Sequence, residues 1–499
     1  MPRRPNVLVV FADQQRHDTL GALNNPVIRT PSLDRLAREG VAFTSAYSPS
    51  PVCVPARCSL LYGQYPPSTG CYDNRDPMPD DGRETFFGAL AGAGYRTHGI
   101  GKCHFTPDPG ALRGFQTRER QEEIVASPAE DDYLTHLHER GFGHVRDPHG
   151  IRGEMYYVPQ PAQMPEWLHP TQWIGDRAVD FVEAARGATR PWALFVSFIH
   201  PHPPFAPPNP WHKLYRAPLM PLPKIPPDSA SLLAYVNRHQ NRYKYRDQGL
   251  DLNLVRCQRA YYYACVSFID YQLGRILDTL AQTGHLDDTL VVYTSDHGEL
   301  LGDYGAFGKR SFHDSCARVP LLVRYPERFS AGATCDRLAS LVDVAPTVFE
   351  AADVPPTHPL DGLDLAGLAA GSAGRRAVFS QFSDAGTAIY TAVTPEWKYA
   401  YSAPDDREYL FDRAGDPAET RNRAGVGFCS DDLAAMRDLT LDWLRRSGEA
   451  AALDGDGFRR YPTLDVPDDP DAGLVHQDHP WATTTIPGYG RAGYTAKER

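Results

Sequence analysis

The chain has 499 residues, 42% of them hydrophobic, and a formal net charge of −11 at pH 7. This length allows one to three domains with a large core; the negative charge argues against nucleic acid as a partner, and no apolar run approaches the ~20 residues that span a bilayer. The nine cysteines are scattered without a C-x-x-C pair, so neither a disulfide framework nor a structural zinc site is expected.

The first predicted element is a strand from Asn6 to Phe11, a Val-rich run typical of a strand buried on both faces of a parallel sheet. The apolar residues of this segment, Val7 to Ala12, stop at Asp13. The apolar region of a secretory signal runs ~7–15 residues. Because this run is shorter and is interrupted early, we expect a cytoplasmic protein with no membrane partner.

Further apolar runs alternate with segments of helical spacing. The predicted helices are residues 30–40, 85–94, 172–186 and 258–283, and the predicted strands are 41–46, 95–100, 192–199, 289–294 and 319–324. Residues 105–170 are polar and irregular, and we expect surface loops there that shape access to a site. This alternation predicts an α/β fold with a large, mostly parallel mixed sheet flanked by helices on both faces.

The pattern changes from about residue 375. Short alternating segments at 377–382, 387–393, 397–401 and 408–412 predict a small antiparallel sheet, and a helix follows at 431–446. We therefore divide the chain into an α/β domain that carries the site (1–374), a smaller C-terminal α+β domain (375–454) and an extended tail (455–499). The tail is rich in Pro, Gly and Asp, and we hypothesise that it joins subunits of a homo-oligomer.

Four of the predicted strands end in ionisable residues. These are Asp13, then Lys102 and His104, then His200 and His202, and finally Asp296 and His297. Binding sites of parallel sheets lie outside the carboxyl ends of the strands. We therefore expect these side chains to meet in one crevice, with His202 a better functional candidate than His200.

The segment from Ser48 to Leu61 contains a reactive-group candidate, Cys53, two residues before Pro55 and four before Arg57. Proline is enriched in the first turn of helices, which predicts Cys53 at a helix N-terminus, where free N–H groups and the helix dipole favour an anion. Arg57 could donate to the same anion. A lone cysteine before a proline is, however, more often a small buried apolar residue.

A metal site is predicted from the two aspartates. Asp13 and Asp296 would repel each other unless a cation lay between them, although one aspartate after a strand is commonly a helix cap. Hard divalent ions bind carboxylate oxygens, and a nitrogen ligand from His297 makes Mn²⁺ or Mg²⁺ conceivable beside Ca²⁺. We expect one divalent ion, Ca²⁺ in the first place.

An anion site is predicted from the basic residues. The cationic candidates for the same crevice are Arg57, Lys102, His104, His202 and Lys309. So many cations in one place favour an anionic substrate, and together with a metal they would stabilise charge on a tetrahedral oxyanion and a leaving oxygen. A histidine can act there as general acid or base; for His104 the less favoured alternative is a structural loop histidine.

The motif Cys53-Val54-Pro55-Ala56-Arg57, followed by Ser59, Leu60, Leu61 and Gly63, closely resembles the signature of the formylglycine-dependent sulfatases of the alkaline phosphatase superfamily. The resemblance extends from Asn6 to about Ala424. It includes Gly101-Lys102-x-His104, the His202 motif, Ser295-Asp296-His297-Gly298-Glu299, Lys309 before Arg318-Val319-Pro320, and the stretch from Leu410-Phe411-Asp412 to Asn422.

The resemblance implies that a maturation enzyme oxidises Cys53 to formylglycine, whose hydrated aldehyde on the metal attacks sulfur. His202 or Lys309 would protonate the leaving alcohol, and His104 would take a proton from the second hydroxyl and so expel sulfate. Lys102 and Arg57 would hold the diol and the sulfate. Carried over by position, the metal ligands are Asp13, Gln14, Asp296 and His297, with the modified Cys53.

Two positions depart from the commonest family pattern, which has Asp at position 14 and Asn at 297. Phosphonate monoester and phosphodiester hydrolases of the same family also use Gln and His there but lose the Gly-Lys-x-His segment, which is intact here. We therefore expect a sulfate ester substrate (sugar, aryl or alkyl), with a phosphonate or phosphodiester as the alternative and a non-catalytic binding protein as the remaining one. Asn74 is a candidate pocket residue.

Overall fold

The computed structural model describes residues 4–125, 127–152, 155–242 and 249–467. Its strands are β1 (Asn6–Asp13), β2 (Val41–Phe43), β3 (Ala46–Tyr47), β4 (Arg96–Gly101), β5 (Thr117–Arg120), β6 (Trp192–Pro201), β7 (Thr289–Ser295), β8 (Leu321–Arg324), β9 (Ala333–Cys335), β10 (Ala339–Ser340), β11 (Val378–Phe382), β12 (Ile389–Val393), β13 (Trp397–Ser402), β14 (Arg407–Asp412), β15 (Leu453–Asp454) and β16 (Gly457–Phe458).

The helices alternate with these strands in the first part of the chain. They are α1 (Pro31–Glu39), α2 (Cys53–Tyr62), α3 (Pro66–Thr69), α4 (Phe86–Gly92), α5 (Asp132–Glu139), α6 (Pro170–Ala184), α7 (Ser229–Leu232), α8 (Tyr235–Gln240), α9 (Leu252–Gln282), α10 (Asp314–Ala317), α11 (Val344–Ala352), α12 (Leu365–Ala370) and α13 (Ser430–Ser447). No helix in the described ranges is both long enough and apolar enough to cross a membrane.

The central sheet has eight strands in the order β5-β4-β6-β1-β7-β8-β2-β9. Strand β1 lies between β6 and β7 and is parallel to both, with Val9 opposite Phe195 on one side and Val292 on the other. Strand β8 is antiparallel to both of its neighbours. The sheet is therefore mixed and mostly parallel, as predicted.

Both faces of this sheet are buried, which explains why its central strands are apolar at every position. In β1, Val7, Val9 and Phe11 pack on the face covered by α2, α4, α11 and α12. Leu8 and Val10 point to the opposite face, where they pack against α1, α6 and α9. The predicted α/β fold with helices on both faces is thus confirmed.

The second sheet, β11-β12-β13-β14, is antiparallel throughout, as predicted. One face packs against α13 through residues such as Tyr390 and Leu410. The other face packs through Phe382 and Phe411 against Val52, the residue just before Cys53. The second sheet therefore packs between α13 on one face and the segment that carries Cys53 on the other.

The expectation of surface loops over residues 105–170 is wrong in two places. Residues 117–120 form β5, the edge strand of the central sheet, and residues 132–139 form α5. The strand was hidden because its sequence, T-R-E-R, is polar and partly exposed at the edge, without an apolar alternation. The predicted strand 41–46 is divided into β2 and β3, which pair in different sheets.

Candidate active site

The four strands whose carboxyl ends bear ionisable residues lie side by side, as β4-β6-β1-β7. Their ends therefore form one edge, and α2 begins opposite it. A register shift between Ala12 and Asp13 and a left-handed backbone at Gln14 (φ 66°) turn the chain out of β1 at this edge. The structure thus brings Asp13, Lys102, His202 and Asp296 together.

Cys53 is the first residue of α2 and is fully buried. Its Sγ lies 2.8 Å from Lys309 Nζ, 3.4 Å from His297 Nε2 and 3.8 Å from Asp13 Oδ1. Burial and the Asp13 carboxylate act to raise the pKa of the thiol, but the ammonium groups of Lys102 and Lys309 hold it well below its usual range. The position therefore favours a negatively charged atom.

Four buried side chains form a cluster of metal-binding atoms: Asp13, Cys53, Asp296 and His297, with one ligand atom of each within 4.8 Å of the others. His297 Nδ1 lies 3.0 Å from the Gly298 carbonyl oxygen. Because Nδ1 must carry the proton to donate there, Nε2 presents its lone pair to the cluster.

Gln14 completes this donor set. Its side-chain nitrogen donates to Glu299, whereas its Oε1 is buried and has no hydrogen-bond partner among the described residues. Its carbonyl oxygen accepts from Tyr262 Oη at 2.7 Å, which fixes the backbone. A buried amide oxygen without a donor costs free energy unless a cation binds it, so the residues fit a divalent ion.

The two aspartates are electrostatically unequal. Burial and the neighbouring Asp13 carboxylate raise the pKa of Asp296 to about 6. Burial acts in the same direction on Asp13, but Lys102, His202 and Arg57 hold its pKa well below the usual range. A divalent ion between the two carboxylates would relieve their repulsion.

The guanidinium of Arg57 is buried behind these carboxylates. It donates to Asp13 at 3.0 Å, to Asp296 at 3.3 Å, to the Lys102 carbonyl at 2.6 Å and to Ser197 Oγ at 2.9 Å. In the structure Arg57 therefore neutralises metal-ligand candidates and ties α2 to the sheet. Its expected contact with the sulfate stays a prediction.

The other predicted basic residues surround the thiol. Lys102 Nζ lies 2.6 Å from Asp13 Oδ2. His104 has a left-handed backbone (φ 56°), its backbone N–H donates to Glu122 at 2.9 Å, and its Nδ1 is buried without a hydrogen-bond partner among the described residues. A cavity of about 300 Å³ opens beside Lys102 and His104; it is lined further by Phe105, Thr106, Pro107, Pro109, Glu122, Glu123 and Ile124.

His202 and His200 have different surroundings. His202 Nδ1 donates to the Pro203 carbonyl at 2.8 Å, and burial holds the pKa of the ring well below its usual range. His200 lies next to Thr171, 3.3 Å away, and against the ring of His169; burial lowers its pKa to about 4. Of the two, His202 is near the Asp13 edge.

Asn74, predicted to line the pocket, accepts the backbone N–H of Val54 at 2.9 Å and is buried. It thus caps the first turn of α2, next to Cys53. Its contact with a substrate stays a prediction.

The sequence analysis did not identify Glu123, and it named Glu299 within a motif without giving it a role. Glu299 holds Gln14, and Glu123 contacts both Lys102 and His202. Glu123 follows β5 as the other site residues follow their strands, so the same rule would have found it if the polar edge strand had been identified.

Two family models and several known proteins match most of the chain. The sulfatase family model matches residues 5–354, and the model for the C-terminal part of N-sulphoglucosamine sulphohydrolase matches residues 302–433. An arylsulfatase of Clostridium perfringens is 29% identical over 486 residues, covering 92% of this chain and 98% of that protein. A choline-sulfatase of Rhizobium meliloti is 29% identical over 487 residues, covering 91% and 90%.

Among solved structures, the phosphonate monoester hydrolase of Agrobacterium radiobacter is similar with a TM-score of 0.78 and 26% identity. The similarity covers 92% of this chain and 100% of that one. The likeness therefore extends over most of the chain.

Proposed function

The chain belongs to the formylglycine-dependent sulfatase family of the alkaline phosphatase superfamily, and we propose that it hydrolyses a sulfate monoester to an alcohol and inorganic sulfate. The observation that carries the proposal is the position of Cys53. Its Sγ lies 2.8 Å from Lys309 Nζ and 3.4 Å from His297 Nε2, at the start of α2 and inside the metal-donor cluster.

We propose that a maturation enzyme oxidises Cys53 to formylglycine. Hydration of the aldehyde would place two hydroxyl groups where the thiol now lies. One divalent ion (Ca²⁺, with Mg²⁺ or Mn²⁺ as alternatives) would be held by Asp13, Gln14, Asp296 and His297, where it would supply Lewis-acid stabilisation of negative charge.

The residues around the thiol would donate and accept the protons of the reaction. As a new O–S bond forms and the ester O–S bond breaks, His202 or Lys309 would give a proton to the leaving alcohol oxygen. His104, whose buried Nδ1 has no hydrogen-bond partner among the described residues, would then take the proton of the second hydroxyl, so that the aldehyde C=O reforms and sulfate leaves. Lys102 would stabilise charge on the sulfate oxygens.

Aryl and alkyl sulfates are supported by the names of two relatives, an arylsulfatase and a choline-sulfatase. A phosphonate monoester or phosphodiester is the second candidate, because a phosphonate monoester hydrolase shares the fold and Gln14 and His297 match that group. The intact Gly101-Lys102-x-His104 segment favours the sulfate ester.

The test is a paired assay of the protein from its native host with an aryl sulfate and an aryl phosphonate, together with mass spectrometry of the peptide that carries Cys53. We expect sulfate turnover to dominate and residue 53 to be formylglycine. Cys53→Ala should abolish turnover. The matched control Cys257→Ala, on the partly exposed side of α9, should not.

Two results would contradict the proposal. Dominant phosphonate turnover would assign the second function, and an unmodified thiol in fully active protein would exclude the formylglycine mechanism.

A further inference from the structure

Glu123 is a buried carboxylate at the edge of the candidate active site. Its side chain is 4% exposed, and it follows β5 at the rim of the cavity beside Lys102 and His104. Burying a carboxylate costs free energy unless the carboxylate is paired with a cation or a hydrogen-bond donor. The partners of Glu123 therefore indicate its role.

Glu123 has three cationic or ionisable partners. Its Oε1 contacts Lys102 Nζ and lies 3.6 Å from His202 Nε2, while its Oε2 lies 2.7 Å from a guanidinium nitrogen of Arg152. Lys102 Nζ also lies 2.6 Å from Asp13 Oδ2. One carboxylate thus joins the lysine at the metal-donor cluster to the candidate general acid.

The ring of His202 is held from three sides. Nδ1 donates to the Pro203 carbonyl at 2.8 Å, Tyr156 packs edge-on at 6.3 Å between ring centroids, and Glu123 faces Nε2. Because the carbonyl fixes the proton on Nδ1, only Nε2 can deliver a proton to a substrate. Glu123 therefore lies next to Nε2, the ring nitrogen that can protonate the leaving group.

We propose that Glu123 is a positioning residue for leaving-group protonation: its carboxylate, itself paired with Lys102 and Arg152, orients the His202 ring through Nε2. This rests on the proposed function. In the step concerned, the ester O–S bond breaks, and the Nε2 proton passes to the departing alcohol oxygen. The ring must first take up a second proton, from solvent, on Nε2. Burial opposes this uptake and the ionised Glu123 carboxylate favours it. After transfer the ring returns to its neutral form with the proton on Nδ1.

The geometry makes a prediction that depends on the leaving group. A nitrophenolate leaves without a proton, whereas an alkoxide or an unsubstituted phenolate needs one, and general acid catalysis contributes about 10²–10⁴-fold. Loss of Glu123 should therefore affect poor leaving groups far more than good ones. A merely structural role would lower all rates by one factor.

The experiment measures kcat and KM of the mature, metal-loaded enzyme over a series of aryl sulfates with phenols of increasing pKa. For Glu123→Gln we expect a loss below about 3-fold with 4-nitrophenyl sulfate and about 10²-fold or more with phenyl sulfate. Glu123→Asp, which keeps the charge, should recover part of the loss. The control Glu119→Gln, on β5 and one-third exposed, should match the wild type.

A double variant tests whether Glu123 acts through His202. In a His202→Asn background, Glu123→Gln should cost nothing further on phenyl sulfate, because coupled residues are not additive. Equal losses across the series, or additive losses in the double variant, would overturn the inference. If Glu123→Gln does not fold, the same comparison is made with Glu123→Asp. Its rate loss should increase with the pKa of the leaving phenol, and an equal loss for all phenols would overturn the inference. Absence of sulfate turnover in the wild type would instead refute the proposed function.

Discussion

At the scale of single residues, the site is a balance of buried charges. Asp13 and Asp296 would repel each other, yet both contact Arg57, and Asp13 also contacts Lys102. The one unsatisfied atom in this group is Gln14 Oε1, which has no hydrogen-bond partner among the described residues. This buried oxygen without a donor, next to two carboxylates, indicates a bound cation.

Removal of the cation should therefore destabilise the protein. At a free ion concentration of 100 times Kd, binding contributes about 2.7 kcal/mol, so we expect a chelator to lower the thermal midpoint and added Ca²⁺ to restore it. Asp296→Asn should make the midpoint insensitive to both, because it removes a charged ligand. The control is Asp442→Asn, an exposed aspartate on α13, which should leave the chelator response intact; a wild-type midpoint independent of chelator would contradict the metal site.

At the scale of elements, the decisive one is α2, because it carries Cys53 at its first residue and Arg57 one turn later. Val52 before it makes no side-chain capping bond. Asn74 supplies the missing acceptor by taking the Val54 N–H at 2.9 Å. The position of Cys53 thus depends on a residue about twenty positions further along the chain.

Asn74→Ala should lower the free energy of unfolding by about 0.5–2 kcal/mol, the usual cost of losing a helix cap. Asn74→Asp keeps an acceptor oxygen and should stay close to the wild type. Chemical denaturation of the three proteins measures this. Equal stability of Asn74→Ala and the wild type would show that the cap contributes nothing and would favour the predicted substrate contact instead.

At the scale of the whole molecule, the second sheet is tied to the site segment by a buried ion cluster. Lys398 on β13 contacts the carboxylates of Asp314 and Glu419 and donates to the Phe312 carbonyl at 3.1 Å. Glu419 also accepts the Asp314 N–H at 2.8 Å. The cluster holds the start of α10, a few residues after Lys309.

Lys398→Met should cost about 3 kcal/mol or more of unfolding free energy, because it leaves buried carboxylates without their cation. The control is Arg445→Met, which breaks an exposed pair with Asp442 and should cost less than about 1 kcal/mol. Denaturant unfolding compares the two. Equal costs would mean that the buried cluster is not a stabilising link.

The boundaries 1–374, 375–454 and 455–499 stay predictions, as does the role of the tail in a homo-oligomer, since residues 468–499 lie outside the described part of the chain. The prediction of the core strands succeeded because a strand buried on both faces must be apolar throughout. The prediction missed strand β5 because an edge strand need not be apolar throughout.

The sequence by itself determined the α/β fold and the family, since Cys53, Pro55 and Arg57 form a pattern whose residues are close in the chain. It also determined which residues end the central strands. Only the tertiary structure decided the partners of those residues: that Arg57 binds the Asp13 and Asp296 carboxylates, that Asn74 caps α2, and that Glu123 faces His202. Hydrophobic periodicity depends on residues that are neighbours in the chain, whereas the pairing of buried charges depends on contacts between segments far apart in the chain.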